Sequence, residues 1–291
     1  MELRLGHDAT TVPATRASCD GARMFMDHAL AKRLEPTEGH VGASYSAPRN
    51  AVTPVGACTR DFDGTIAVFD GAASPLTQTF GLGLFRPVDD ELLQEIEAFF
   101  GERGAPTSHE VSPLAGIETF ARLVARGYRP IELSSVLVQV IPEVPEPVAS
   151  LRVRAIDPDA DADGAAWIET CVAGWSTDPA HTAIMRELAT VNVANRAMTH
   201  YLVEDGGAPI ATGSLGVHDG VAMLAGASTI PSARGRGAQA LLLATRLRDA
   251  RARGCDLAMI VAAVGSQSQR NAERNGFRVA YTRTKWQRDA S

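Results

Sequence analysis

Alternating and helically spaced apolar residues recur along this chain in one order, twice over. In the first half, Thr79-Phe80-Gly81-Leu82-Gly83-Leu84 reads as a strand and Leu92 to Phe100 has helical spacing. His109-Glu110-Val111 is then a short strand, and Gly116 to Ala125 a second helix. The second half repeats this as Ala222 to Ile230, Ala238 to Arg253, Asp256 to Ala262 and Ser266 to Asn275. Both copies close alike. Gly127-Tyr128 and Gly276-Phe277 each end a helix and lead into an alternating strand. Glycine suits the left-handed position after a helix, and the aromatic that follows covers the core. Between the copies, Ile141-Pro142-Glu143-Val144-Pro145-Glu146-Pro147-Val148 carries three prolines, which fix φ and remove backbone donors. Such a stretch is a short, semi-rigid linker, and Leu151-Arg152-Val153-Arg154 then alternates as the opening strand of a new unit. The pattern predicts an α/β protein of two related units, 1–141 and 151–291, joined by a Pro-rich linker over 142–150, each closed by its own last strand.

Composition narrows the class. A chain of 291 residues suits two domains, and 45% hydrophobic with 21% charged residues is ordinary for a globular protein with a real core. No apolar run approaches 18 residues, so no membrane span is expected. The start, Met1-Glu2-Leu3-Arg4-Leu5-Gly6-His7-Asp8, lacks an apolar signal region. Cys19, Cys58, Cys171 and Cys255 have neither zinc-site nor redox spacing, which fits a cytoplasmic setting without a bound metal. A net charge of −6 argues against nucleic acid as a partner and is compatible with a cationic small molecule.

The chemistry concentrates between Ala225 and Arg248. A strand of small residues, Ala225-Gly226-Ala227-Ser228-Thr229-Ile230, runs through Pro231 into Ser232-Ala233-Arg234-Gly235-Arg236-Gly237, and Ala238-Gln239-Ala240 opens a helix. A loop of this kind aims free N–H groups and the positive end of a helix dipole at one point, where a pyrophosphate binds well. A nucleotide triphosphatase would need Gly-Lys-Ser/Thr, and Gly237 is followed by Ala238 and Gln239. Gly235, Gly237 and Ala240 do fit the dinucleotide fingerprint G-x-G-x-x-G/A. That fingerprint also wants a carboxylate at the end of the next strand. Val261-Ala262-Ala263-Val264 has none, which leaves NAD chemistry a distant alternative.

The third candidate guest is coenzyme A, and here the chain resembles a family. Arg234-Gly235-Arg236-Gly237-Ala238, with Pro231 before it, is similar to motif A (Arg/Gln-x-x-Gly-x-Gly/Ala) of the GNAT superfamily of acyl-CoA-dependent N-acetyltransferases; Gln239 departs at the sixth position. Ser268-Gln269-Arg270-Asn271-Ala272-Glu273-Arg274-Asn275-Gly276-Phe277 resembles motif B. The resemblance implies two GNAT-like domains, each a mixed, mostly antiparallel sheet flanked by helices. In the first, Asp89-Asp90-Glu91 crowds the helix start where a pyrophosphate would sit, so that half reads as a degenerate scaffold without a cofactor loop.

The resemblance also implies roles. A bulge in the strand before motif A splays it from the next strand, and the pantetheine arm of acetyl-CoA lies in that gap. Ser228, Thr229 and Ile230 would pair with the arm through their backbones, with an N–H near Ile230 polarising the acetyl carbonyl. Arg234, Gly235, Arg236, Gly237, Ala238 and Gln239 would cradle the pyrophosphate, and Ser268 and Asn271 would serve the pantetheine amides. The family often has a tyrosine acid four residues before the Gly-Phe glycine, but Ala272 stands there, leaving Tyr281 as the candidate hydroxyl. Glu204, His200 and His218 are candidate proton relays. Trp167, Cys171 and Trp175 share one helix face, readable as a buried stripe or as an acceptor wall in which Trp175 and Asp178 would bind a small-molecule amine. Arg246, Arg248, Arg251 and Arg253 read as a solvated helix face. The expected reaction is direct acetyl transfer from acetyl-CoA to a primary amine in a ternary complex. A non-catalytic acyl-CoA sensor is the alternative. Oligomeric state is not legible.

Overall fold

The computed structural model describes residues 24–143, 150–175 and 179–289. The first half comprises α1 (His28–Ala43), α2 (Ser46–Val52), β1 (Cys58–Phe62), β2 (Thr65–Phe69), β3 (Gln78–Phe80), α3 (Asp90–Gly101), β4 (Thr107–Val111), α4 (Ile117–Ala125) and β5 (Arg129–Val140). The second comprises β6 (Arg152–Ala155), α5 (Asp161–Trp175), α6 (Pro179–Ala194), β7 (Thr199–Asp205), β8 (Ala208–His218), β9 (Val221–Thr229), α7 (Ala238–Ala252), β10 (Leu257–Ala263), α8 (Gln267–Arg274) and β11 (Arg278–Arg288). The elements read from spacing are all present. The first strand is shorter than read, because Gly81 and Gly83 take positive φ and turn the chain out of the sheet. Among the described residues no helix is long and apolar enough to cross a membrane.

One feature of the expected plan is corrected. Neither half is closed by its own last strand. The strands form a single eleven-stranded sheet in the order β1-β2-β3-β4-β11-β5-β10-β9-β8-β7-β6. Strand β5 pairs antiparallel with β10 from Leu257↔Val140 to Ala263↔Ser134, and β11 pairs antiparallel with β4 from Thr284↔Val111 to Arg288↔Thr107. The two closing strands have been exchanged, and they pair with each other in the middle of the sheet. Both are alternating strands that follow a Gly-aromatic helix stop, so local sequence specifies the strand and leaves its partner open.

Helix α1 explains how so wide a sheet is filled. It packs against β2 and β3 and also against β8 and β9, although β2 and β8 stand seven places apart in the strand order, about 34 Å in a flat sheet. The sheet therefore curves round this helix. The packing is close on both sides: a Cβ on Gly39 would fall 2.9 Å from Ile66 Cδ1, and one on Gly216 would fall 2.8 Å from Val41 Cγ2. Leu30, Ala31 and Leu34 join Val136, Val221, Leu257 and Met259 in the core beneath α1. The opposite face carries α7 and α8, whose Leu241, Leu242 and Ala272 share a core with Leu137, Ala222 and Leu224.

Under α1 lies a buried ionic cluster that also settles where Tyr281 is. Arg283 of β11 lies 2.7 Å from Glu38, 2.9 Å from Glu110 and 3.2 Å from Glu35, and its Nε donates to Ser134 Oγ at 3.1 Å. Tyr281, on the same strand, donates its hydroxyl to Glu35 Oε1 at 2.8 Å. Burial pushes the Glu35 carboxyl up to about 7, partly opposed by Arg283. Burial and the neighbouring Glu35 push the Tyr281 phenol well above its ordinary value. Tyr281 is thus a structural hydroxyl bound to an N-terminal helix, and it does not serve as the acid of the transfer site.

Candidate functional site

The site is built on a defect in β9. Thr212 pairs with Ser228 and Ser214 with Ala225, so Gly226 and Ala227 together oppose the single residue Gly213. Two residues against one is a β-bulge, which bends its strand; Gly226 accommodates it with φ 61°. On its other side β9 pairs in parallel with β10 only at Val221, Ala222 and Met223. Beyond Met223 no β9–β10 pairing continues, and a gap opens toward the carboxyl ends of both strands. This is the bulge and splay that the resemblance implied.

At the mouth of the gap, the short 3-10 turn Pro231–Ala233 leads into Gly235 and Gly237, with φ 80° and 84°. Gly237 is the residue before α7, and the first N–H groups of that helix, at Ala238, Gln239 and Ala240, have no partner inside it. A Cβ on Gly235 or Gly237 would meet nothing within 4 Å. Both glycines therefore turn toward open space. The equivalent loop of the first half is packed instead: a Cβ on Gly81 would fall 2.7 Å from the Gly64 carbonyl, and one on Gly83 would fall 2.8 Å from Thr119 Oγ1. Its helix start is also taken, since the Asp89 carboxylate accepts from the Leu92 N–H at 2.8 Å and pairs with Arg86 at 2.9 Å. Hydrogen bonding to both holds that carboxyl below its usual range.

The predicted side chains divide by use. Gln239, the departure from the motif, donates Nε2 to the Ser228 carbonyl at 3.0 Å and to Thr229 Oγ1 at 2.8 Å, tying the start of α7 to the end of β9. Arg234 donates to the Thr229 carbonyl and the Gly174 carbonyl, bracing the loop against α5. Arg236 pairs with Asp205 at 2.8 Å, an exposed pair of the kind that gives way readily to a stronger anion. Ser268 and Asn271 lie one turn apart on α8, beyond the open end of β10, with Asn271 Oδ1 accepting from Gln267. Ile230 is corrected as an oxyanion donor, because its N–H donates to the Ile210 carbonyl at 3.0 Å. Successive strand residues turn their N–H groups to opposite edges, so the Thr229 N–H faces the gap.

On the acceptor side, the stripe on α5 splits. Trp167 is fully buried and Cys171 nearly so, whereas Trp175 is 56% exposed at the mouth of the gap. Burial pushes the Cys171 thiol up to about 11, which leaves it an inert thiol. Asp178 lies outside the described residues. His200 is buried, its Nε2–H donating to the Asn195 carbonyl and its Nδ1 accepting from Ser214. Burial lowers it to about 4, so it is a neutral hydrogen-bonding group at physiological pH. Glu204 is tied to Arg154 at the sheet edge, and His218 stacks on His40 at 3.8 Å at the far end of β8. None of the three faces the gap as a free base. Sequence reasoning missed Arg246, assigned there to solvent. It is 2% exposed, and its Nη1 donates to the Ser214 carbonyl at 3.2 Å and the Ala225 carbonyl at 3.3 Å, directly behind the bulge. It missed Tyr45 too, whose hydroxyl donates to Asn192 Oδ1 at 2.8 Å, setting the α6 side chain that faces Gly226.

A mixed sheet with a bulged, splayed strand and a glycine loop at its mouth defines a GNAT-type α/β fold, here built from two related units. Residues 146–277 match the model of the acetyltransferase (GNAT) family. Its fold is that of a GCN5-related N-acetyltransferase from Kribbella flavida (19% identity, 92% of this chain and 98% of that one, TM-score 0.64). It is similar also to a GCN5-related N-acetyltransferase from Sphaerobacter thermophilus (17% identity, 80% and 76%, TM-score 0.53). A tandem GNAT protein from the clavulanic acid biosynthesis pathway shares the fold as well (15% identity, 78% of each chain, TM-score 0.53). No curated protein matches the chain by sequence.

Proposed function

We propose that the second half binds acetyl-CoA and transfers its acetyl group to a primary amine of a small molecule, directly, in a ternary complex. The observation that carries this reading is the gap between β9 and β10 opening onto a glycine loop with free N–H groups and empty space beside it. A thioester supplies an activated acyl group whose thiolate leaves with little assistance. The residues of this chain do the rest. The Thr229 backbone faces the gap as a strand edge would, whereas Ser228, first given the same role, turns its backbone to Thr212 of β8. The Thr229 N–H is the donor placed to polarise a carbonyl there, in the role first given to Ile230. Gly235, Gly237, Ala238 and Gln239 present N–H groups to a pyrophosphate, with Arg236 exchanging Asp205 for phosphate. Ser268 and Asn271 border the pantetheine path. Trp175 forms the exposed wall of the acceptor entrance. With Tyr281 bound to Glu35, water takes the ammonium proton and returns one to the thiolate.

The test is thiol release from acetyl-CoA in a panel of aminoglycosides, polyamines, amino acids and peptides. Amine-dependent release with one member supports transfer. Tight binding of acetyl-CoA without release by any member would assign the protein to acyl-CoA sensing instead.

A further inference from the structure

Arg246 is the one buried charge at this site that acetyl transfer, as proposed, leaves idle. It sits on the α7 face of the sheet, among apolar side chains, with Leu241, Leu242 and Leu247 of its own helix buried beside it. Its Nη1 spans the Ser214 and Ala225 carbonyls, the last regular pair before the bulge, and its Nε reaches the Leu242 carbonyl at 3.4 Å. A Cβ on Gly213, opposite the bulge, would fall 3.2 Å from its Cζ. Among the described residues no carboxylate pairs with it. The titratable groups nearest it are Tyr201 of β7 and, through the hydroxyl of Tyr201, Asp249 of α7. A buried cation held only by carbonyl dipoles is costly, and burial alone lowers this guanidinium to about 10, so it stays charged at physiological pH. The guanidinium is the weakly hydrated cation that suits such a place, and its donors serve the Leu242, Ser214 and Ala225 carbonyls.

We propose that Arg246 holds the β9 bulge open and supplies the positive potential that favours anionic sulfur and oxygen in the β9–β10 gap one strand's width away. The proposal rests on the acetyl-transfer reading. In that reaction the amine nitrogen bonds to the thioester carbon while the carbonyl π pair moves to oxygen. The C–S bond then breaks with its electron pair going to sulfur, and the ammonium proton passes to water. Both the oxyanion and the thiolate are stabilised by a fixed cation behind the strand. Arg246 is a positioning residue, since it touches backbone and not the reacting atoms.

The distinguishing measurement is calorimetric affinity for CoA against desulfo-CoA at pH 7, 8 and 9. In the unaltered protein, CoA should tighten relative to desulfo-CoA by several-fold as pH rises, approaching tenfold for each unit by which the bound thiol is made more acidic. Arg246→Lys should keep this gain, and Arg246→Gln, which retains a donor for the carbonyls, should lose it while still binding desulfo-CoA. An equal pH response in Arg246→Gln would reduce Arg246 to packing. An unaltered protein that binds both ligands with no pH-dependent preference for CoA overturns the proposal without any variant. Failure of the unaltered protein to bind either ligand would instead remove the acetyl-CoA reading itself.

Discussion

At the scale of single residues, the second-half loop separates conformational demands from charge demands. Gly237 needs φ 84° and meets no neighbour. Gly237→Val should therefore leave the core intact, cost roughly 1–2 kcal/mol locally for a β-branched residue in the left-handed region, and project into the anion path. The expected outcome is a folded protein by circular dichroism with acetyl-CoA affinity abolished in calorimetry; normal affinity would reduce Gly237 to a turn residue. Arg234 and Arg236 contribute differently. Arg234 already braces Thr229 and Gly174, while Arg236 only shares Asp205. Changing both to Ala should weaken acetyl-CoA binding by about 1.5–3 kcal/mol for each charged hydrogen bond to phosphate that is removed, with amine affinity little altered. An unchanged dissociation constant for acetyl-CoA in the folded double variant would rule out their phosphate role.

At the scale of elements, helix and strand identities were legible because each carries its own period, and the loop was legible because glycines and arginines announce it. Three things were not. The buried face of α1 is broad and mixed, with Gly39 and the polar Glu35 and Thr37 among Leu30, Ala31, Leu34 and Val41, so it lacks the clean apolar stripe by which a helix is recognised. Arg246 lies one turn from Leu242 and from Ala250 on the buried face of α7, but its charge groups it in sequence with the arginines that follow. Strand partners were hidden because pairing is a non-local choice between two similar closing strands. The ionic cluster beneath α1, which joins β11 to β4 and β5, makes its own prediction. Glu35 binds its proton more tightly folded than unfolded, so its contribution to stability is complete below its unfolded value near 4.5 and declines as pH rises to about 7. Glu35→Gln keeps an acceptor for Tyr281 and removes this titration. Denaturant unfolding should find the variant gaining on the unaltered protein between pH 4.5 and 7, by about 3 kcal/mol at most. A constant difference across that window would mean Glu35 is ionised throughout.

At the scale of the whole molecule, the halves are unequal in chemistry and inseparable in structure. One helix start is occupied by Asp89 and the other faces open space, so titration should give one acetyl-CoA per chain; two would show that the first half retained a site. Because β5 and β11 are exchanged, residues 150–289 expressed alone would leave β10 without its antiparallel neighbour, and residues 24–143 alone would leave β4 paired only with β3. Neither fragment should fold singly, and mixing the two should restore cooperative unfolding; an independently folded second half would contradict the exchange. The same exchange sets the timing of folding during synthesis. The first unit leaves the ribosome early, yet the strand that finishes it is encoded at residues 278–288. While the intervening residues are translated, β4 presents an open edge of unpaired backbone, the template on which stray chains add. Completion of the oldest part of the protein waits on the newest, and a pause or premature stop late in translation would be felt first in the half made long before.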